Sequence, residues 1–122
     1  MILLDTNILI EILKDNPQTQ KEIASLQAPF SISSITAMEL IYGARNKQEV
    51  QKLQQFIQLF DQIHLNESIS NKALQLITDY AKSHMLDIPD ALIAASATEY
   101  HASLFTYNRK DFRFIPQLTL IK

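Results

Sequence analysis

The sequence predicts an α/β fold in which a small parallel sheet of four or five strands carries helices on both faces. The order of short and long segments along the chain supports this fold class. Short apolar segments of strand length alternate with longer segments whose apolar residues recur at helical spacing. Strands that alternate with helices in this way form parallel sheets. With 122 residues, of which 47% are hydrophobic, the chain is expected to form a single domain, residues 1–122, around a substantial core.

Five short segments predict strands. In chain order they are residues 2–4, 30–32, 62–65, 104–106 and 118–121. The first is apolar throughout and is expected to be buried, whereas the last is expected at an edge of the sheet.

Six segments predict helices, because their apolar residues fall on one face at helical spacing. In chain order they are residues 6–14, 18–26, about 34–45, about 47–60, a helix capped by Ser68 whose apolar stripe runs to Tyr80, and a helix from Asp90 to Ala95. The last is apolar nearly all round and is expected to be buried. Ser33 or Ser34 can cap the third helix, and the Asn16–Pro17 pair breaks the pattern between the first and second.

The composition excludes several classes of function. The chain has no cysteine, so disulfides, cysteine zinc ligands and thiol nucleophiles are ruled out. The chain has a single glycine, Gly43, whereas a phosphate-binding loop needs several. The net charge of −2 argues against bulk electrostatic binding of nucleic acid, but not against a nuclease whose metal supplies positive charge. No apolar run has the length of a signal peptide or membrane span, which predicts a cytoplasmic protein without a membrane partner.

Acidic residues lie at the carboxyl ends of the predicted strands or at nearby helix starts. Asp5 follows the first strand, Glu39 lies one or two turns into the helix after the second, and Asp90 opens the buried helix. Asn108 and Asp111 follow the fourth strand. Open α/β sheets bind ligands at this edge, so these side chains are expected to converge there. Converging carboxylates repel one another unless a divalent cation neutralises them, and oxygen ligands suit Mg²⁺ or Mn²⁺.

Each acid also has a simpler interpretation. Asp5 could merely cap the helix that starts at Thr6, and Asp90 has the chemistry of a helix start. Glu39 could be a surface residue of an amphipathic helix, and Asp111 a plain loop residue. None is specific alone. The hypothesis of a shared site depends on their occurrence in four separate elements.

Other kinds of catalytic site find little support in the sequence. His64, His84 and His101 are scattered and predict no histidine-based catalysis. No serine lies in a nucleophile-elbow pattern. A haloacid-dehalogenase-like phosphatase also begins with an aspartate at a strand end, but that chemistry needs a second aspartate where this chain has Asn7.

Four segments resemble motifs of PIN-domain proteins, and more narrowly of VapC-type toxin ribonucleases. They occur in the family's order, cover essentially the whole chain, and are residues 3–7, 38–44, 88–95 and 104–112. The resemblance implies a three-layer α/β/α fold with a small parallel sheet. It also implies Mg²⁺- or Mn²⁺-dependent cleavage of RNA, which can be a tRNA, by the toxin of a type II toxin–antitoxin module. A VapB-like antitoxin would hold such a toxin in check.

The family's site residues can be carried over by matching motif. Asp5, Glu39 and Asp90 are then the catalytic and metal-binding acids, and Asn108 occupies the family's fourth acidic position. This departure leaves open whether Asn108 acts through a water, whether Asp111 substitutes, or whether three carboxylates suffice. A catalytically lapsed PIN-domain adaptor that pairs with an antitoxin therefore stays as the alternative.

Further residues are expected to support the site or contact substrate. Thr6 could hydrogen-bond Asp5 and fix its rotamer, or be an ordinary residue of the first helical turn. Arg109 belongs with Lys110 and Arg113 to the one dense basic cluster, which could steer RNA or meet an antitoxin acid, or be solvated loop charge. The full set of supporting residues is Thr6, Asn7, Thr106, Arg109 and Asp111.

A homodimer is also expected by resemblance, formed through the helices after residue 20. The candidate interface is an apolar stripe of Ile23, Leu26, Val50, Leu53 and Ile57. The alternative, which applies to about half of these residues, is that they belong to the core of the same molecule.

Overall fold

A computed structural model, which describes residues 1–27 and 29–122, confirms the predicted fold class. The described residues form a five-stranded sheet whose pairings are all parallel, in the spatial order β3-β2-β1-β4-β5. The strands are β1 (Ile2–Leu4), β2 (Phe30–Ser33), β3 (Asp61–Ile63), β4 (Ser103–Phe105) and β5 (Thr119–Leu120). β1 is therefore the central strand, and β5 lies at an edge as predicted.

Six α-helices in the described residues connect the strands and cover both faces of the sheet. They are α1 (Thr6–Leu13), α2 (Pro17–Ser25), α3 (Ser34–Tyr42), α4 (Lys47–Ile57), α5 (Glu67–His84) and α6 (Ile88–Glu99). A 3₁₀ turn, Arg109–Asp111, follows β4. Helices α1 to α4 pack on one face, and α5 and α6 pack on the other, which gives three layers. None of the helices in the described part of the chain is both long and apolar enough to cross a membrane.

Two apolar cores hold the central strand between the layers. Successive side chains of a strand point to opposite faces. Leu3 accordingly packs with Ile93 and Leu104 beneath α5 and α6, whereas Leu4 packs with Ile8 beneath α1 to α4. All five side chains are at most 1% exposed. The carboxyl end of β1, directly before Asp5, is therefore packed against a core on each face of the sheet.

Capping side chains set the helix starts, and two of them differ from prediction. Pro17 is the first residue of α2, and Asn16 caps that helix, because proline lacks only an N–H that the first turn does not use. The predicted break is therefore the start of the helix. Asn66 rather than Ser68 caps α5, because its side chain accepts a hydrogen bond from a main-chain N–H three residues on. Ser33 caps α3, as one of the two predicted alternatives.

Other element ends shift by a few residues from their predicted positions. Helix α3 ends at Tyr42, short of its predicted end, because the chain must turn before Asn46 can cap α4. Helix α4 also ends early, at Ile57. Strand pairing sets the other ends. Strand β4 pairs residue by residue with Ile2–Leu4, so Thr106 lies just beyond it. That position leaves the Thr106 side chain free for the site.

The predicted dimer stripe lies mostly inside the molecule. Leu53 is buried, and Ile23, Leu26 and Ile57 pack around the same core beneath α1 to α4. Val50 is half-buried. The core interpretation is therefore correct for those four residues, because the amphipathic faces of α2 and α4 cover the sheet.

Candidate active site

A cleft opens at the carboxyl ends of β1 and β4, where the strand order reverses. From β1 the chain moves outward through β2 to β3 and then returns to β4 on the other side of β1. Open α/β sheets bind ligands above such a switch point. The cleft has a volume of about 220 Å³, and its lining residues are Asp5, Thr6, Asn7, Ile10, Glu39, Asp90 and Asn108. The three acids and the asparagine predicted as catalytic residues thus line one cleft.

Asp5 is the most deeply buried acid of the cleft, with 5% of its surface exposed. Its N–H donates to the Phe105 carbonyl at 2.9 Å and so joins the ends of β1 and β4. Its Oδ1 accepts from the Thr6 N–H at 2.8 Å and caps α1, while Oδ2 accepts from the Thr106 hydroxyl at 2.7 Å. The capping interpretation is therefore confirmed. It does not exclude a metal, because a carboxylate oxygen has two lone pairs.

Asn7 and Thr106 form a hydrogen-bonded bridge between α1 and the end of β4. Asn7 Nδ2 lies 3.3 Å from both Asp5 Oδ2 and Thr106 Oγ1. Its Oδ1 accepts from the Tyr107 N–H at 3.1 Å. Thr106 Oγ1 also accepts from the Asn108 N–H at 3.0 Å, which holds Asn108 at the rim of the cleft. The structure thus brings both predicted supporting residues into contact with Asp5.

Thr6 contacts two of the acids, each through a different group. Its N–H donates to Asp5, but its hydroxyl donates to Glu39 Oε1 at 2.6 Å. The predicted contact with Asp5 therefore comes from the main chain, because the side chain points across to α3. The Thr6 hydroxyl also lies 3.1 Å from the hydroxyl of Thr36, which is fully buried. Sequence reasoning missed Thr36, although its spacing from Glu39 places both on one face of α3.

Asp90 lies in the first turn of α6 and does not open it as predicted. Helix α6 begins at Ile88, and Asp87 caps it by accepting from the Asp90 N–H at 2.9 Å. The helix can start ahead of Pro89 because a proline is tolerated in the first turn. Asp87 was not identified from the sequence as the cap. The pattern that could have identified it is a capping residue followed three residues later by an acid.

Burial and mutual repulsion raise the pKa values of two acids of the cleft. Removal from water is the largest cause for both Asp5 and Asp90, and it contributes to raising the pKa of Asp90 to about 7. The pKa of Asp5 is also raised, although hydrogen bonds from Thr106 and Thr6 oppose the rise. The acids that add to the rise at Asp90 are Asp87, Asp5, Asp111 and Glu39. Such a cleft holds its negative charge best when a cation is present.

The donor set suits a hard divalent cation. Carboxylate and amide oxygens of the type that Mg²⁺ and Mn²⁺ prefer line the cleft. No three His, Asp or Glu side chains within residues 1–27 and 29–122 are arranged to hold a metal as they stand. Mg²⁺ usually takes one or two protein carboxylates and keeps several waters, so a complete protein cage is not required. The residues present therefore fit Mg²⁺ or Mn²⁺ bound through a few carboxylates and water.

The residues after β4 differ in their relation to the cleft. Asp111 does not line it, yet its charge helps to raise the pKa values of both Asp5 and Asp90. Arg109 donates from Nη1 to the Ile121 carbonyl at 2.9 Å and turns toward the end of the chain. The remaining predicted basic residues, Lys110 and Arg113, are exposed.

Comparison with known proteins identifies the family. The family model described as the PIN domain matches residues 2–116. The chain belongs to the PIN domain family. This PIN domain is 30% identical over 116 residues to the tRNA(fMet)-specific endonuclease VapC of Shigella flexneri, covering 90% of this chain and 88% of that relative. It is 31% identical over 120 residues to ribonuclease VapC1 of Methanocaldococcus jannaschii, covering 98% and 84%.

Solved structures share the fold of this PIN domain. A toxin–antitoxin complex from Klebsiella pneumoniae contains a chain with a TM-score of 0.83 and 29% identity, covering 98% of this chain and 96% of that one. A chain of VapBC2 from Rickettsia felis, bound to a DNA fragment from its promoter, has a TM-score of 0.82 and 30% identity, covering 99% and 98%. The three-layer α/β/α fold and the resemblance to VapC-type proteins are thereby confirmed.

Proposed function

We propose that this PIN domain is an endoribonuclease that uses Mg²⁺ or Mn²⁺ to hydrolyse RNA phosphodiester bonds, as the toxin of a type II toxin–antitoxin module. The observation that carries the proposal is the convergence of Asp5, Glu39 and Asp90 in one cleft at the switch point of the sheet. The names of the relatives from Shigella flexneri and Methanocaldococcus jannaschii, an endonuclease and a ribonuclease, support it. A tRNA is a candidate substrate because the first of these is named for one.

Asp5 and Asp90 would hold the cation most directly, with Glu39 as a further ligand or as a base that positions water. When bound, the cation would lower the pKa of a water and neutralise charge that develops on the phosphoryl oxygens. The protein fixes its own side chains beforehand. Asp5 is held by Thr106 and by the N–H of Thr6, so its carboxylate needs little reorientation when the substrate arrives.

Glu39 is the candidate acceptor for the proton of the attacking water. Its Oε1 is held by the Thr6 hydroxyl, and the side chain lines the cleft. A general base acts best when it is held within hydrogen-bond reach of the proton it takes. Asn108, at the rim, carries no charge and would act on a water or a phosphate oxygen through its amide.

The proposal includes a VapB-like antitoxin as partner, a homodimer as the assembly and the cytoplasm as the location. The antitoxin is supported by the similar structures from Klebsiella pneumoniae and Rickettsia felis, which are toxin–antitoxin complexes. The dimer would need a surface other than the predicted stripe. Exposed apolar side chains of α3, Met38 and Tyr42, are available for such a contact. The cytoplasm is proposed because the substrate would be an RNA.

Cleavage of RNA by the purified protein and by Asp5→Asn tests the proposal. The substitution keeps the size of the side chain and an oxygen that can cap α1, so the fold is expected to persist. Cleavage in Mg²⁺ or Mn²⁺ is expected to fall by at least about 100-fold, since even the partners of metal ligands contribute roughly 10- to 100-fold. Asp61→Asn, at an exposed aspartate of β3, is the matched control and should keep full activity. Full cleavage by folded Asp5→Asn would contradict the proposal.

A further inference from the structure

Tyr107 joins the turn after β4 to helix α2. Its phenol oxygen lies 2.6 Å from Thr19 Oγ1 and is also hydrogen-bonded to the Glu22 carboxylate. Thr19 is fully buried, whereas Tyr107 is 41% exposed. An exposed residue of the turn is therefore fixed to a buried position of a helix that contributes no residue to the lining of the cleft.

The two hydrogen bonds of the Tyr107 hydroxyl have a defined direction. An ionised carboxylate only accepts, so the phenol donates to Glu22 and its oxygen accepts from the Thr19 hydroxyl. Among the described residues, the Thr19 hydroxyl forms no other hydrogen bond. A buried hydroxyl that loses its partner costs free energy, so Thr19 favours the conformation of the turn that keeps Tyr107 in contact.

The main chain of Tyr107 acts on the acids of the cleft. Its N–H donates to Asn7 Oδ1 at 3.1 Å. This hydrogen bond determines the orientation of the amide, with the oxygen toward Tyr107 and the nitrogen away from it. Asn7 Nδ2 consequently faces Asp5 Oδ2 at 3.3 Å. With the amide reversed, its oxygen would stand against the carboxylate and repel it. The orientation of the Asn7 amide therefore depends on the position of the Tyr107 main chain.

We propose that Tyr107 is a positioning residue of the acid site, which fixes the turn after β4 to α2 so that Asn7 keeps its donor on Asp5. The inference rests on the proposed nuclease function and adds a residue to it. The flanking residues reinforce the argument, because Thr106 donates to Asp5 and Asn108 lines the cleft. No contact with RNA is assigned to Tyr107. Loosening the turn would therefore alter the geometry of the acids and leave the contacts with RNA in place.

The test compares Tyr107→Phe with the double variant Thr19→Val/Tyr107→Phe. The single substitution leaves the Thr19 hydroxyl buried and unpaired, so it lowers the melting temperature as well as releasing the turn. The double variant removes both hydroxyls, so stability is expected to recover while the turn stays released. Glu22→Gln keeps an acceptor oxygen and should match the wild type.

Four quantities are measured for each protein: the melting temperature, Mn²⁺ affinity by electron paramagnetic resonance, kcat and KM for RNA cleavage, and hydrogen exchange of the main-chain amide at position 107. In both phenylalanine variants, Mn²⁺ affinity and kcat are expected to fall by about 5- to 10-fold. This is less than the roughly 10- to 100-fold effect of direct partners of metal ligands, because Tyr107 acts on Asp5 only through Asn7. KM is expected to stay within about twofold because no ground-state contact with RNA is lost. The amide at position 107 is expected to exchange faster.

A double variant with wild-type Mn²⁺ affinity, kcat and amide exchange would overturn the inference, and so would a loss confined to the melting temperature. A wild-type protein that neither binds Mn²⁺ nor cleaves RNA would overturn the proposed function instead. Amide exchange at position 107 would then test whether Tyr107 fixes the turn after β4 to α2. Faster exchange in the double variant supports the link to α2, and unchanged exchange contradicts it.

Discussion

Leu3 and Asp5 are close neighbours in the sequence, yet they lie in regions that are stabilised by opposite means. Leu3 is fully buried among apolar side chains such as Leu104 and gains stability simply by leaving water. Asp5 is nearly as buried, but there burial raises the pKa of its carboxyl, and hydrogen bonds only partly offset the effect. The apolar layers therefore carry the stability of the fold. The acidic edge above them, formed by Asp5, Glu39 and Asp90, opposes this stability, because burial raises the pKa values of Asp5 and Asp90, as is common at functional sites.

The largest effect on stability is expected in the apolar layers. Leu104→Ala removes a fully buried side chain of β4 and should lower the free energy of unfolding by about 2–5 kcal/mol. Urea denaturation measures the change. Leu59→Ala, at a side chain that is 76% exposed, is the matched control and should change stability by less than about 0.5 kcal/mol. Equal losses in the two variants would show that the core does not dominate.

The next effect concerns Asn108 and Asp111, the two candidates for the family's fourth acidic position. Asp111 acts on Asp5 and Asp90 through its charge but does not line the cleft. Asp111→Asn is therefore expected to weaken Mn²⁺ binding by less than about tenfold, because charges outside the cleft are partly screened. Asn108→Asp places a carboxylate in the lining and should strengthen Mn²⁺ binding. If Asp111→Asn weakens binding as much as Asp5→Asn, Asp111 is itself a ligand.

A smaller effect is expected in the pH dependence of stability without metal. The pKa of Asp90 is raised from 3.8 to about 7, so between these values the folded protein binds more protons than the unfolded chain. The free energy of unfolding should therefore fall as pH rises from about 4 to about 7. The fall is modest because Asp90 is half-buried and solvent screens it.

Urea denaturation at several pH values, with a chelator present, measures this dependence. Asp90→Asn cannot titrate at that position and should show a flatter profile than the wild type. If Mg²⁺ binds the cleft as proposed, it should reverse the trend, since metal ligands must be deprotonated. Identical profiles for the wild type and Asp90→Asn would show that the acidic edge does not oppose folding.

The smallest effect is expected at Ser31, a polar residue within the apolar region. Its side chain is fully buried, and its Oγ has no hydrogen-bond partner among the described residues. Ser31→Ala should leave stability unchanged or raise it by up to about 1 kcal/mol, because it removes an unpaired hydroxyl. Ser33→Ala, on the same strand, removes the cap of α3 and should cost about 1 kcal/mol. A similar loss at Ser31 would indicate a bonding partner for that hydroxyl.

The location of the acids could be predicted because it depends on local patterns. Asp5 and Asn108 follow the ends of β1 and β4, Glu39 lies in the helix after β2, and parallel strands bring those ends to one edge. The same reasoning placed Asp5 directly after β1 and Glu39 within α3. Helix starts were less certain, because several residues could cap the same helix. Asn66 competes with Ser68, and Asp87 lies just ahead of Asp90.

The hydrogen bonds that orient the acids could not be predicted, because they depend on how distant elements pack. Thr6 reaches Glu39 because α1 lies beside α3. Tyr107 meets Thr19 because α2 folds back over the turn after β4. Neither contact follows from the spacing of residues along one helix or strand. The roles assigned to these residues stay predictions until variants are measured.

Mn²⁺ titration followed by electron paramagnetic resonance tests most directly whether the acidic edge is a metal site. The proteins to compare are the wild type, Asp90→Asn and the control Asp61→Asn. The wild type should bind Mn²⁺, Asp90→Asn should bind at least about tenfold more weakly, and Asp61→Asn should match the wild type. A wild type that binds no Mn²⁺, or equal affinity in all three proteins, would contradict the account and favour a PIN-domain adaptor without catalysis.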